Sequence, residues 1–482
     1  MWSLARVVLP VILVGCADPD DARTAWLVDA LVTDNAVWRS RDPSLLATKY
    51  QEMAEDRYDF LRGTLGVWFR DLEAGGAGSR PTAFLNDPEA ATVLIIGDPH
   101  PENLGTMWPG DGPGPTREDD PPQLLLEFND FDAAQFGPYL LDVRRAMIGL
   151  GEILDQSGCD PACRAPVLAA EAAGWFDEIT AIDAGERPFD PTLTSPSGGP
   201  TLAPGTSPVI DPYVERVVED GLGRETLDDA LDHGRFVIDA ALDDDGDGQL
   251  ALTDDEAAQA DRLIAQYPWP PGARIHDVAR RYGVGIASLP AVRYVIAWDR
   301  GDDEEDDDEL LQLREVVDPP PVPVPVGWPS ALFDDDASRS VIAAQTAWSR
   351  PDADARLAGL TDGPMAFKAQ TWSSFHASLD HGALADALAE GSDADRAAFG
   401  ALLGRQLGAT HARSITSTGG PALPPVIRDL GGRRDRFVDE RLDEVERDLT
   451  RLAADHARFR GALRDYGPLL GAPVDGAPTG TP

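Results

Sequence analysis

Lysine is nearly missing from this chain: Lys49 and Lys368 are its two lysines, so arginine must supply almost every positive charge. Basic residues are outnumbered altogether, 41 Lys and Arg against 84 Asp and Glu, for a net charge of -43 at pH 7. That balance argues against nucleic acid and anionic headgroups as partners, because both demand clustered positive charge facing a polyanion. The simplest use of the excess acid is a well-solvated surface. Cysteine is scarce, at three residues, and a zinc site built on the close pair Cys159 and Cys163 would lack its other soft ligands. The sequence has no Gly-x-Ser-x-Gly elbow and no His-Glu-x-x-His pair, so the usual signals of a hydrolase are missing.

What is there begins with a leader. Arg6 is followed by an apolar run from Val7 to Gly15 and then Cys16, which reads as a secretory signal too short to span a bilayer. Leu13-Val14-Gly15-Cys16 resembles the bacterial lipobox, which implies removal of residues 1–15 and acylation of Cys16. Residues 16–26 then form a tether, and the protein is expected at the cell envelope, periplasmic or on the surface, held to the membrane by lipid. In that oxidising compartment Cys159 and Cys163 are expected to close a small structural disulfide. With 43% hydrophobic residues and 11 Trp in 482 residues, the remainder can bury a large core.

Helical periodicity dominates 22–75, 138–154 and 165–182, while Thr92–Gly97 and Leu124–Phe128 read as buried strands. Residues 27–183 are assigned to one part of the fold. Residues 184–270 hold a linker rich in Pro, Ser, Thr and Gly at 184–212 and a helix-loop-helix insertion at 225–266. A β-rich segment covers 275–317, with the acidic run 302–309 as a solvated tip between strands, then a stiff Pro-rich connector at 318–325. The chain is expected to be mainly helical from there to Tyr466, and 467–482 to be a frayed tail.

The chemistry concentrates in two loops. Ile96-Gly-Asp-Pro-His-Pro-Glu-Asn-Leu-Gly105 follows a strand and sets Asn103 five residues after Asp98. An Asp so placed can accept a proton from an attacking hydroxyl while the Asn amide oxygen holds magnesium. Phe128-Asn-Asp-Phe-Asp132 ends the second strand with Asp130 and Asp132, where a metal could bridge phosphate oxygens.

Gly97-Asp-x-His-Pro-x-Asn103 resembles the catalytic loop of aminoglycoside and choline phosphotransferases, and Asn129 to Asp132 their metal-binding motif. More closely, the chain resembles the bacterial domain-of-unknown-function 2252 family, through Phe60–Gly63, Gly97–Gly105, Phe128–Asp132, Gly137–Arg145, Val278–Gly285, Leu311–Glu315 and Ala409–Ser414. The resemblance implies an α+β, two-lobed, kinase-like fold using ATP and magnesium. Asp98 would be the base, His100 a loop-orienting residue, Asn103, Asp130 and Asp132 metal ligands, and Asp142 a buried brace. Arg62 matches a family arginine without a derived role. Gly283 and Gly285 would form the phosphate turn, and Arg314 stands where the family carries the nucleotide lysine. The catalytic loop precedes the nucleotide parts, which suggests circular permutation of the lobes, over 27–183 and 271–466.

A later glycine of the phosphate turn is missing, and Arg for Lys is no neutral exchange at a tight phosphate site. An inactive, kinase-like envelope protein binding a small molecule or protein therefore stands beside an active phosphotransferase acting on a hydroxyl. A second motif, Asp243-Asp-Asp-Gly-Asp-Gly-Gln-Leu-Ala-Leu-Thr-Asp254, resembles an EF-hand loop. It would offer calcium Asp243, Asp245, Asp247, the Gln249 carbonyl and Asp254, the last shorter than the usual Glu; the alternative is an acidic turn without metal.

Overall fold

A computed structural model describes residues 19–73, 75–111, 115, 123–193, 208–243, 246–301, 308–322 and 333–473. The leader, Cys16, Asp245 and the acidic stretch 302–307 lie outside the described residues. The fold is mixed α+β, 52% helix against 16% strand, so helices supply most of the core.

The described chain opens on α1 (Pro19–Asp34), α2 (Ala36–Arg41), α3 (Pro43–Glu55), α4 (Arg57–Gly63) and α5 (Leu65–Leu72). Acidic caps set two of these starts: Asp42 accepts from Leu45 N ahead of α3, and Asp56 from Tyr58 N ahead of α4. Strands β1 (Val93–Ile95), β2 (Leu104–Met107), β3 (Leu124–Phe128) and β4 (Gln135–Gly137) follow as two nested antiparallel pairs, β2 with β3 inside β1 with β4. The two strands expected from sequence are thus not each other's neighbours. The links β1 to β2 and β3 to β4 cross side by side, and they carry the Asp98 and Asp130 loops.

Helix α6 (Tyr139–Gln156) is buried from Tyr139 to Leu154 and runs through the middle of the body. A turn closed by the Cys159–Cys163 disulfide, with Cα atoms 5.4 Å apart, leads to α7 (Pro161–Asp183), capped by Asp160. After β5 (Thr192–Leu193) on the β3 edge come α8 (Asp211–Gly223) and α9 (Glu225–Ala230). The expected helix-loop-helix is corrected here. A small hairpin, β6 (Leu231–Asp232) and β7 (Arg235–Phe236), turns at His233 and Gly234, both at positive φ, and among the described residues no helix leads into the acidic loop. The far side holds a strand that was not expected, β8 (Gly248–Leu250), and then a helix where one was, α10 (Asp254–Ile264), started by a Thr253–Glu256 capping box.

Next come β9 (Arg274–Tyr282), β10 (Arg293–Asp299), β11 (Glu309–Val316), α11 (Asp336–Ala347), β12 (Ala358–Asp362) and β13 (Met365–Thr371). They form one antiparallel sheet in the order β12-β13-β11-β10-β9-β8. The β12–β13 hairpin corrects the expectation of helix between 326 and Tyr466. Gly363, at φ +60, makes the tight turn after Asp362, and the returning strand buries Ala366, Phe367, Lys368 and Ala369 in succession, so it is covered on both faces.

Helices α12 (His381–Glu390), α13 (Asp393–Arg413), α14 (Leu423–Leu430) and α15 (Arg434–Tyr466) then return to the helical body. Helix α13 lies directly on α7: a Cβ at Gly404 would come 2.0 Å from the Glu171 carbonyl oxygen. One core runs from Tyr58 to Leu449, so the first helices and the last share it, while the sheet buries Tyr294, Trp298, Leu311, Leu313 and Phe367 against α10.

Candidate active site

Two loops meet back to back. Gly97 has φ +89, and a Cβ there would lie 2.2 Å from the Ala133 carbonyl oxygen, so glycine alone permits this approach. Asn129 N donates to Asn103 O at 2.8 Å and ties the loops together. Asp142, fully buried at the start of α6, accepts from Ile96 N at 2.7 Å and Gly97 N at 2.9 Å. Trp175 donates to His411 Nδ1 at 3.1 Å, which leaves the His411 proton on Nε2, 2.9 Å from Asp142. Asp98, Asn103 and Asp130 consequently line one cavity of about 370 Å³ between the helical body and the sheet.

Within the first loop, Arg145 Nε donates to Asp98 Oδ1 at 2.6 Å, and the Asn103 amide nitrogen donates to the Asp98 carbonyl at 2.8 Å. His100 Nε2 stands 3.7 Å from Asp98. Burial pushes His100 down to about 4, so it is neutral at pH 7 and packs under the loop beside the Tyr58 hydroxyl. Glu102 is driven down to about 2: burial opposes the shift, but the His381 hydrogen bond and the Arg62 charge outweigh it. Arg62, 2.8 Å from Glu102, thereby stands at the cavity wall.

The second loop is held by cations and by α11. Arg314 Nη2 lies 2.9 Å from Asp130 and 2.5 Å from Asp132, while Lys368 Nζ lies 2.8 Å from Asp132 and 3.8 Å from Asp130. Burial would raise the Asp130 carboxyl, yet Arg314 and then Lys368 hold it far below the ordinary carboxylate range. From α11, Ser340 donates to Asp132 at 3.1 Å, and Arg339 donates to the Asp132 and Ala134 carbonyls, each at 2.7 Å. Lys368 escaped the sequence reading. Its signal was present: one of two lysines in the chain, three residues after Met365 in a run that an Asp-Gly turn introduces.

The glycine turn joins β9 to β10. Gly283 and Gly285 both have positive φ, +73 and +76, but they do different things. A Cβ on Gly283 would strike Asp247 Cα at 2.3 Å, so its job is packing against the acidic insertion, a correction to its expected place at phosphate. Gly285 does line the cavity. The rest of the turn is pinned: Lys49 donates to Ala287 O at 3.0 Å, and Ile286 and Ala291 are buried among the first helices.

In the acidic insertion, the described carboxylates serve the loop's own amides. Asp243 accepts from Asp247 N at 2.8 Å, and Asp247 from Gly248 N at 2.7 Å. The Gln249 carbonyl accepts from Asp239 N at 2.8 Å, and Asp254 opens α10. Among the described residues Asp243, Asp247 and Asp254 do not gather into a three-ligand cluster, and Asp245 lies outside them. Among the described residues, no helix is long and apolar enough to cross a membrane.

Fold and site define an α+β protein with a cleft of opposed carboxylates and arginines between a helical body and an antiparallel sheet. The chain belongs to the family described as an uncharacterized protein conserved in bacteria, domain of unknown function 2252, whose profile matches residues 41–462. No curated protein and no solved structure matches it.

Proposed function

We propose that this protein is a kinase-like phosphotransferase that moves a phosphoryl group from a nucleoside triphosphate to a hydroxyl acceptor. The observation that carries the reading is the convergence of Asp98, Asn103 and Asp130 on one cavity, opposite the cations of the sheet. Topology supports it: β9, β10 and β11 form a meander with a glycine turn between the first two strands and a cation, Arg314, on the third. Protein kinases place a Gly-rich loop and a strand lysine over their phosphates in this way. The catalytic loops belong to the helical body and come first in sequence, so the two lobes of such a fold are permuted here.

Asn103, Asp130 and Asp132 offer oxygen donors alone, a set that suits magnesium, and they would hold it. Bound there, magnesium would neutralise charge on the transferring phosphate. Asp98, oriented by Arg145, would take the proton of the acceptor hydroxyl. A second cavity of about 180 Å³ also reaches Asp98, Asn103 and Asp130 from the side of Trp38, Lys49 and Leu65, and would admit the acceptor.

A second reading, an inert kinase-like binding protein, is favoured by one specific feature: Arg314 and Lys368 already neutralise the Asp130–Asp132 pair. Anchoring through Cys16, outside the cytoplasmic ATP supply, would favour it too. Calorimetric titration with ATP separates the two readings. The phosphotransferase reading expects binding that needs magnesium and transfer that Asp98→Asn abolishes while binding persists. Failure of ATP to bind with or without magnesium would overturn it, and binding indifferent to magnesium and without turnover would favour the inert protein.

A further inference from the structure

Strand register places Arg293 of β10 opposite Arg314 of β11, and Arg314 opposite Lys368 of β13. Like charges directly opposite one another cost stability, and these three sit side by side on the cavity face of the sheet. Arg281, next to Arg280 on β9, lines the same cavity and has its guanidinium 4.2 Å from the Trp372 ring. Four cations therefore face the cavity from four adjacent strands.

Their counter-charges are unequally shared. Asp130 and Asp132 serve Arg314 and Lys368. Arg293 is 1% exposed, and among the described residues its side chain bonds the Ser288 hydroxyl at 2.7 Å, while its Nε and Nη1 have no partner. Neither Arg281 nor Arg293 forms an ion pair with a described carboxylate. Burial first, and then Arg314 and Arg281, push the Arg293 guanidinium well below its ordinary range. A buried, unpaired guanidinium is costly, and an anion in the cavity would remove that cost.

We infer that Arg293 and Arg281 form a metal-independent anion subsite on the sheet wall of the cavity, which takes the phosphates of a polyphosphate ligand. It deepens the proposed function by rooting the phosphate tail on β9 and β10 rather than on the glycine turn alone, but it needs no phosphoryl transfer. Orthophosphate engages Arg281 and Arg293; a longer polyphosphate reaches Arg314 and Lys368 as well. Affinity should rise from orthophosphate through pyrophosphate to tripolyphosphate.

The test is metal-free calorimetry and thermal denaturation of the full chain with these three salts, in EDTA and at matched ionic strength. Wild-type protein is expected to bind tripolyphosphate and to melt higher with it. Arg293→Met should lose at least about tenfold in affinity. Its ligand-free melting temperature should hold or rise, because a thioether replaces an unpaired buried charge. A purely structural arginine would give the opposite pair, a lower melting temperature with affinity kept, and would overturn the inference. So would wild-type protein that ignores tripolyphosphate. If Arg293→Met does not fold, Arg281→Gln decides on the same tenfold criterion. Tripolyphosphate binding without ATP turnover would keep this subsite and sink the phosphotransferase; magnesium-ATP binding unchanged in both variants would do the reverse.

Discussion

Asp142, Arg144, Arg145 and Glu152 are all buried on α6, and each has found a charged or amide partner: the Ile96 and Gly97 amides, Asp448, Asp98 and Arg57. Glu171 on α7 is the contrast. It is buried, both its carboxyl oxygens lack partners among the described residues, and burial alone raises it well above the usual 4.5. The folded state keeps a proton that the unfolded chain releases above pH 4.5, so this group's contribution to stability falls as pH rises from there. Glu171→Gln should therefore raise the melting temperature at pH 8, with a gain that shrinks toward pH 5. Equal melting temperatures for the two proteins at pH 8 would show that Glu171 finds a partner or water. That Asp98, Asn103 and Asp130 line one cavity was legible in part, because Asp98 and Asn103 share one short loop and Asp130 ends a recognisable strand. Lys368 stood out by its rarity alone, and neither its place beside Asp132 nor that of Arg293 beside Arg314 could be read, because both come from cross-strand register that no local window contains.

Elements follow the same division. The strands β10 and β11 could be read from their apolar runs, while the Asp160 cap was passed over and α7 begins at Pro161 rather than 165. The β12–β13 hairpin was lost although Asp362-Gly363 announces it, because β13, covered on both faces, carries no regular alternation. The missing helix before the acidic insertion was lost for another reason: the EF-hand likeness lies in the loop, while the lead-in follows His233 and Gly234 into a hairpin. Helix α13 carries a packing signal of its own at Gly404, where a methyl group would force α13 from α7. Gly404→Ala should cost about 3 kcal/mol by denaturant unfolding. Gly461→Ala on α15, with its nearest other atom at 3.7 Å, should be neutral or slightly stabilising. A Gly404→Ala protein as stable as wild type would mean that the helices are not in backbone contact.

At the scale of the whole molecule, a chain of net charge -43 keeps four cations on one wall of an internal cleft. Inside the cleft these cations face Asp98 and Asp130, an arrangement that the proposed function would use for an anion and a divalent ion together. The order of parts could be read from sequence, because the Asp98 loop precedes the glycine turn. That α13 returns to pack on α7 could not: Gly400, Gly404 and Gly408, four residues apart, mark a close-packing face on α13, but no local window names the helix it meets. The most direct measurement is the anomalous density of crystals grown with manganese and a non-hydrolysable ATP analogue. The account predicts a manganese peak within coordination distance of Asp130 and Asn103, with Arg314 and Lys368 moved from the carboxylates onto phosphate. A nucleotide seated elsewhere, or a peak absent from Asp130 while Arg314 keeps its ion pair, would contradict it.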